Sequence, residues 1–156
     1  MGKDKADGAE LEQQPGYLIR RLQQIAVAIF LEETQGHGVT PVQYAALNAA
    51  LREPGLDQRT LAATIGFDTS TIGGVIDRLE RRALIERRAS PTDRRVRLLH
   101  VTPAGAALVD ALIPAMLKAQ QRILAPLPET ERAHFMALLK TAVDGNNDLS
   151  RAPSEA

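Results

Sequence analysis

The stretch from residue 87 to residue 105 constrains the fold of this chain more than any other part of it. Two short β-prone runs, 85–88 and 96–101, flank the sequence Ser90-Pro91-Thr92-Asp93, which is typical of a tight turn. A β-hairpin followed by a helix is therefore predicted. Such a thin hairpin gains no stability from charges at its tip, so we expect them to face a DNA groove; the alternative is an ordinary solvated hairpin. Three arginines lie at the tip or just beyond it: Arg94, Arg95 and Arg97.

Residues 56–84, just upstream, predict two helices joined by a short turn. Asp57 is placed to cap the first helix, and Gly66 to end it in a left-handed conformation. Asp68 is placed to cap the second helix, which has apolar residues at helical spacing between 72 and 79. Short hydroxyl side chains reach base edges and phosphates easily, although those here could instead cap the helix. The face left over carries four candidate DNA contacts: Thr69, Ser70, Thr71 and Arg78.

Helix, turn, helix and basic hairpin together predict a mainly α fold, a winged helix-turn-helix with a two-stranded β wing, whose second helix enters the major groove. The whole chain is neutral, with 19 basic and 19 acidic residues, which argues against a general polyanion binder. Residues 78–97, however, hold eight of the fifteen arginines against three acidic residues. A charge run is usually a solvated face, but one on this pattern marks the DNA side.

These residues resemble the core of the MarR family of bacterial winged-helix regulators. The resemblance rests on Leu61-Ala62, on residues 76–82, on Asp93-Arg94-Arg95 and on residues 101–105. It implies a homodimeric transcription factor, most often a repressor, that leaves an inverted-repeat operator when a small molecule binds. It also implies that Arg95, with Arg94 beside it, enters the minor groove, and that Asp93 orients Arg95 by a charge-assisted hydrogen bond.

The sequence departs from the family pattern at two places. Gly73 and Gly74 lie in the second helix where family members commonly have polar or basic residues, and glycine in a helix interior costs about 1 kcal/mol relative to alanine. Close approach to DNA and tight packing against a neighbouring helix are equally open explanations. Ala83 stands where the family usually has the glycine that closes this helix, so we expect that end to differ slightly.

The remaining residues predict helices for dimerisation and sensing. We expect a single domain over residues 15–147, with tails at 1–14 and 148–156. Its winged helix-turn-helix covers about 40–101, and its dimerisation helices cover about 15–35 and 103–144, the latter bent near Pro114. These helices carry more apolar surface than a monomer of this shape could cover. A homodimer that matches a palindromic operator is expected, the alternative being that these stripes form the monomer core.

The effector site is the least defined part of the sequence. The family resemblance implies a pocket lined by the first, second and fifth helices, and an apolar cleft with one cation suits a small aromatic carboxylate. Arg21 borders the apolar stripe of the first helix, whereas Arg20 points away from it. The alternative role of both is a salt bridge at the surface or the dimer interface. The chain is also similar to the MarR subgroup that controls breakdown of hydroxybenzoates and nicotinate derivatives. The candidate ligand residues are Arg20, Arg21, His37 and Tyr44, with Gln43 beside Tyr44.

Other function classes find little support in the sequence. The absence of cysteine excludes thiol-based sensing and cysteine-ligated metals, and no phosphate loop or nucleophile elbow indicates an enzyme or a cofactor. A metal-responsive regulator of the same fold and a winged-helix protein-interaction module remain as alternatives. Only five aromatic residues are present, which disfavours stacking on single strands. No run of 18 apolar residues and no signal peptide is found, so a soluble cytoplasmic protein is expected.

Overall fold

The computed structural model describes residues 10–150 and contains, within them, six α-helices and three β-strands. The elements are α1 (Pro15–Glu33), α2 (Pro41–Arg52), β1 (Leu56–Asp57), α3 (Gln58–Thr64), α4 (Ile72–Arg81), β2 (Ile85–Ala89), β3 (Arg97–Val101), α5 (Pro103–Leu124) and α6 (Glu129–Gly145). The predicted helices and hairpin are all present, and Pro114 lies inside α5 as expected.

Short helical turns are present near both limits of the described residues. Within the segment predicted as tail, Leu11–Gln13 forms a 3-10 turn, and a second 3-10 turn at Asn147–Leu149 follows α6. The rest of the predicted tails, residues 1–9 and 151–156, lies outside the described residues.

The sheet has one strand more than the predicted two-stranded wing. β1 pairs antiparallel with β3 through Leu56 and Leu99, so the strand order is β1-β3-β2. β2 and β3 form the predicted hairpin, in register from Ile85 opposite Val101 to Ala89 opposite Arg97. A two-residue strand leaves no periodic signal in the sequence, and for that reason β1 was not predicted.

The two helices of the helix-turn-helix begin differently from each other. Asp57 caps α3 as predicted, accepting a hydrogen bond from the Thr60 amide at 2.7 Å, and Gly66 ends the helix with φ of 64°. The prediction that Asp68 caps the second helix is wrong. Its carboxylate accepts from the Ser70 amide at 2.9 Å and closes a turn, and α4 starts only at Ile72. Local hydrogen bonds of this kind compete with a helical first turn.

The main hydrophobic core lies between α2, α3, α4 and the sheet. Val109 of α5 also contributes to it, whereas Phe30 of α1 packs in a smaller cluster with Val39 and Leu112. The predicted face of α4 is buried in full. The largest fully enclosed side chains of the described residues are Leu47, Leu61, Ile72, Ile76, Leu79, Ile85, Leu99 and Leu112.

The junction between α4, the wing and α5 explains the motif at residues 101–105. The Thr102 hydroxyl donates to the Ala83 carbonyl at 2.7 Å and accepts from the Gly105 amide at 3.1 Å. A Cβ at Gly105 would lie 2.1 Å from the Leu84 carbonyl oxygen, so this position requires glycine. Ala83 adopts φ of 55°. The helix thus ends on an alanine in the left-handed conformation that glycine adopts more readily.

The terminal helices leave much of their apolar surface uncovered. The stripe predicted for α5 divides, since Val109 and Leu112 are buried in this chain while Ile113 and Leu117 are exposed. None of the described residues of α6 is buried. Within residues 10–150, no helix combines the length and the apolar character needed to cross a membrane.

Candidate nucleic-acid interface and adjoining cleft

The tip of the wing is held by hydrogen bonds within its own turn. The buried Ser90 hydroxyl accepts from the amides of Thr92 and Asp93 at 3.3 and 3.4 Å. The Asp93 carboxylate then accepts from the Arg95 main-chain amide at 2.9 Å. The predicted bond from Asp93 to Arg95 thus runs to the main chain. It fixes the backbone of the tip and leaves the guanidinium group of Arg95 exposed.

The eight arginines between residues 78 and 97 fall into two sets. Three of them are held by other groups of the chain: Arg82, Arg87 and Arg88. The other five are exposed, and their guanidinium groups make no hydrogen bond or ion pair with another described residue: Arg78, Arg81, Arg94, Arg95 and Arg97. We call these five the free arginines. They comprise all four predicted arginine contacts and Arg81.

Arg87 attaches the wing to α4. Its guanidinium group donates to Asp77 at 2.7 Å, to Glu80 at 2.6 Å and to Gln58 of α3 at 3.4 Å. Partial burial by itself lowers the pKa of Arg87, but the hydrogen bonds to Asp77 and Glu80 outweigh it and raise this pKa. Arg87 was predicted to be one of the charges on the DNA side. In the structure it instead holds the wing against α4, the second helix of the helix-turn-helix, which we call the recognition helix.

The first of the two helix glycines has a packing explanation. A Cβ at Gly73 would lie 3.1 Å from the side-chain nitrogen of Gln58, the residue that also accepts from Arg87. Gly73 therefore makes room for Gln58 beneath α4. For this glycine, the structure supports the packing alternative.

Arg82 links the end of α4 to the loop before α2. Its guanidinium group donates to the main-chain carbonyls of Gly38 at 2.6 Å and His37 at 3.1 Å. Both acceptors lie between α1 and α2. These hydrogen bonds therefore fix the C-terminal end of α4, in addition to the contacts that Arg87 makes with this helix.

The predicted hydroxyl residues lie in the turn before α4 instead of in its first helical turn. Thr69, Ser70 and Thr71 are all exposed. The Thr71 hydroxyl donates to the Asp68 carbonyl at 3.2 Å, and although Thr71 is the residue before α4, its side chain makes no capping hydrogen bond to the helix. The turn presents these side chains at the N-terminal end of the recognition helix, next to the free arginines of the same module.

An open cleft of about 720 Å³ separates α1 and α5 from the helix-turn-helix. Its walls come from α1, α2 and α5, as the family resemblance implied, and Thr64 at the end of α3 and Ile65 after it complete the lining. Phe30 and Tyr44 meet here, with ring centroids 6.3 Å apart. The lining is mostly apolar, and its one cationic residue among those described is Arg52, with Glu53 next to it.

Of the four predicted ligand residues, only Tyr44 lines the cleft. His37 lies in the loop, where its carbonyl accepts from Arg82, and Gln43 is buried in the capping box of α2 with Thr40. Arg20 and Arg21 lie outside the lining, with the Arg20 guanidinium 5.5 Å from the centroid of the Tyr17 ring.

Arg20 and Arg21 differ in how they lie relative to the cleft. α1 lines the cleft with Gln23, Ala26, Val27 and Phe30. Arg20 is three residues before Gln23 and shares its side of the helix, whereas Arg21 lies on the opposite side. The apolar stripe that Arg21 borders is thus a different face of α1 from the face that lines the cleft.

Sequence reasoning missed Arg52, although a signal for it exists. Tyr44, Asn48 and Arg52 are spaced at i, i+4 and i+8, so they form one stripe of α2, and all three line the cleft. As the last residue of α2, Arg52 was considered only as the end of a helix.

Comparison with known proteins assigns the family. A profile described as "MarR family" matches residues 37–96. A putative transcriptional regulatory protein for the hcr operon of Thauera aromatica is 38% identical over 80% of this chain and 76% of its own length. The transcriptional repressor NicR of Pseudomonas putida is 31% identical over 89% and 88%. The solved structure of BpsR of Bordetella bronchiseptica, whose DNA binding is regulated by 6-hydroxynicotinic acid, is 31% identical over 86% of this chain and 96% of that one, with a TM-score of 0.81.

The chain belongs to the MarR family. It is a DNA-binding transcriptional regulator and not an enzyme. The resemblance drawn from the helix pair, the wing and the junction at residues 101–105 is thereby confirmed. The free arginines lie on α4 and on the wing, and the cleft lies between the helix-turn-helix and the helices α1 and α5. No group of three or more histidine, aspartate or glutamate side chains among residues 10–150 is placed to hold a metal ion.

Proposed function

We propose that this protein is a homodimeric repressor that binds an inverted-repeat operator and leaves it when a small aromatic carboxylate enters the cleft. It acts in the cytoplasm, where its operator lies. The observation that carries this proposal is the position of the cleft. Its walls include α1 and α5 on one side and α3 of the helix-turn-helix on the other. A ligand bound there touches both the dimerisation helices and the DNA-binding module.

Operator contacts are assigned to exposed residues of the turn before α4, of α4 and of the wing. Thr69, Ser70 and Thr71 reach into the major groove with Arg78 behind them. Arg95 enters the adjoining minor groove from the wing, flanked by Arg94 and Arg97. The fixed turn of the wing supports this assignment, because a preformed tip loses little conformational freedom on binding.

A second copy of the chain is the partner that best covers the terminal helices. Ile19, Phe135, Met136 and Leu139 surround an apolar groove of about 430 Å³ between α1, α5 and α6. Ile19 is 61% exposed in the single chain, which is costly for so apolar a side chain. A two-fold dimer through these helices would place two recognition helices about 34 to 36 Å apart, one turn of DNA.

The chemistry of the cleft favours an aromatic acid. Apolar walls with the rings of Phe30 and Tyr44 suit a flat ring, and a carboxylate needs a cation. Arg52 lies in the lining, and Arg20 lies one helical turn before Gln23. Both are candidates to bind the carboxylate. The Bordetella relative supports this class of effector, since 6-hydroxynicotinic acid is an aromatic carboxylate.

Calorimetric titration of the purified protein tests the effector directly. We expect 6-hydroxynicotinic acid or a hydroxybenzoate to bind, and the same compound to release operator DNA in a mobility shift. Replacing Arg52 or Arg20 by alanine should weaken binding of the acid by about tenfold or more. Arg21→Ala is the matched control, because Arg21 lies on the far side of α1, and it should bind as the wild type does. Equal binding by all three variants would contradict the cleft assignment.

A further inference from the structure

Gly74, the second glycine of the recognition helix, has no explanation within the chain. Its backbone is helical and needs no positive φ, and a Cβ built on it meets nothing within 4 Å. Gly73 beside it differs, because a Cβ there would crowd Gln58. Alanine at position 74 would fit this fold and would favour the helix. The reason for glycine must therefore lie outside the folded chain.

The position of Gly74 on α4 indicates what lies outside. The buried face of this helix is formed by Ile72, Val75, Ile76 and Leu79. Gly74 falls on the opposite side, and the free arginines Arg78 and Arg81 follow it one and two helical turns later. Thr71 lies three residues before it. Gly74 is thus at the centre of the exposed face that carries the proposed DNA contacts.

We propose that Gly74 is the point of closest approach between the recognition helix and the DNA. Without a side chain there, the helix backbone lies against the groove, and Thr71 and Arg78 on either side reach the base edges. Glycine is the residue that permits such an approach of backbone to a large ligand. This inference rests on the proposed operator binding and adds to it the residue that sets the depth of the helix in the groove.

The test uses two substitutions of Gly74. For the alanine variant, thermal stability and DNA affinity should change in opposite directions. In Gly74→Ala, we expect the melting temperature to rise by about 2 °C or more, because alanine is the better helix former. We expect the affinity for the DNA upstream of its own gene to fall about tenfold, since the added methyl group costs contacts to bases. Gly74→Leu should weaken binding further. Fluorescence anisotropy and thermal unfolding measure the two quantities on the full-length dimer.

Gly145→Ala is the matched control. Gly145 also lies in a helix, and a Cβ built on it likewise meets nothing within 4 Å, but it lies at the end of α6. It should leave DNA affinity unchanged. Wild-type affinity in Gly74→Ala would overturn the inference, and so would a lowered melting temperature, since that would reveal a demand for glycine inside the chain. A wild-type protein that binds no DNA would instead refute the proposed function, which is a separate result.

Discussion

The winged helix-turn-helix and the terminal helices differ in how completely a single chain buries their apolar side chains. In the former, the apolar faces of α3, α4 and the sheet are buried against each other, and the exposed residues are mainly charged or small. In α1 and α6, large apolar side chains remain at the surface, among them Ile19, Ile25 and Leu138. The winged helix-turn-helix thus buries its apolar faces within one chain, whereas the terminal helices leave apolar surface that one chain does not cover.

The same contrast appears on a smaller scale among the arginines. Arg82 and Arg87 hold α4 to the α1–α2 loop and to the wing, while Arg78 and Arg95 project from the module without partners among the described residues. One residue type in one segment therefore serves two purposes. A charge count cannot separate them, because only the fold shows which guanidinium groups already have acceptors.

The largest effect should come from a charge placed on the uncovered apolar surface. Ile19→Asp puts a carboxylate into the groove between α1, α5 and α6, so we expect the dimer to dissociate and operator affinity to fall about a hundredfold or more, since two half-sites no longer bind together. Sedimentation and anisotropy measure the two changes. Val96→Asp, which changes an exposed apolar residue of the wing, should remain a dimer. A dimeric Ile19→Asp variant would contradict the proposed interface.

The next effect concerns the free arginines. Arg95→Ala should weaken operator binding about tenfold and reduce the salt slope by about one, while dimerisation stays intact. Arg88→Ala is its control, because Arg88 is already paired with Glu86 and should affect binding little. The comparison is made by anisotropy at several salt concentrations. Normal affinity in Arg95→Ala would remove the wing from the mechanism.

The third effect concerns Arg87, which is hydrogen-bonded within the chain. Its removal should lower the stability of the fold more than the affinity for DNA. In Arg87→Ala, Asp77 and Glu80 lose their shared partner, and we expect unfolding free energy to fall by about 1 kcal/mol, since the partners are well exposed. Urea unfolding measures the loss. A double-mutant cycle with Asp77→Asn should show non-additivity. Strict additivity would mean that the two side chains do not interact in solution.

A smaller effect, a gain in unfolding free energy, is expected from a substitution at Ala83. Ala83 has φ of 55°, so Ala83→Gly should relieve backbone strain. Because glycine is also more flexible in the unfolded chain, part of this gain is lost, and we expect the unfolding free energy to rise by about 0.5 kcal/mol. The reverse change at a matching position, Gly66→Ala, should destabilise the protein. Urea denaturation of both variants checks the pair. Destabilisation by Ala83→Gly would contradict the strained conformation.

The smallest effect concerns acid stability of the terminal helices. Hydrogen bonds from Arg122 and Lys118 of α5 lower the pKa of Glu33 in α1. A lowered carboxyl pKa stabilises the fold above the pKa of the unfolded chain, and this contribution disappears as the pH falls through the lowered value. Glu33→Gln should therefore be less stable than wild type at neutral pH and approach it in acid. A pH-independent difference would exclude this linkage.

The winged module could be predicted from sequence because its signals are local. The Asp57 cap, the left-handed Gly66, the spacing of Ile72 to Leu79 and the turn before Arg94 each act within a few residues. The start of α4 was misplaced because Asp68 had two local options of similar strength, a helix cap and a turn.

For the cleft, the sequence and the family resemblance predicted the helices that line it but not most of the residues that face into it. Which face of α1 turns inward depends on how α1 packs against α2 and α5, and its apolar stripe serves a surface that one chain leaves exposed. The sequence therefore could not show which of Arg20 and Arg21 lies nearer the cleft. The role of Gln58 beneath Gly73 was also invisible, since it depends on contacts between residues far apart in the sequence.

One mobility-shift experiment tests the central claim most directly. The purified protein is titrated onto the DNA upstream of its own gene, with and without 6-hydroxynicotinic acid and a panel of hydroxybenzoates. We predict a salt-sensitive complex of one dimer per operator that one of these acids dissolves. A complex that no acid affects would contradict the effector assignment, and the absence of any salt-sensitive binding to this DNA would contradict the proposed repressor.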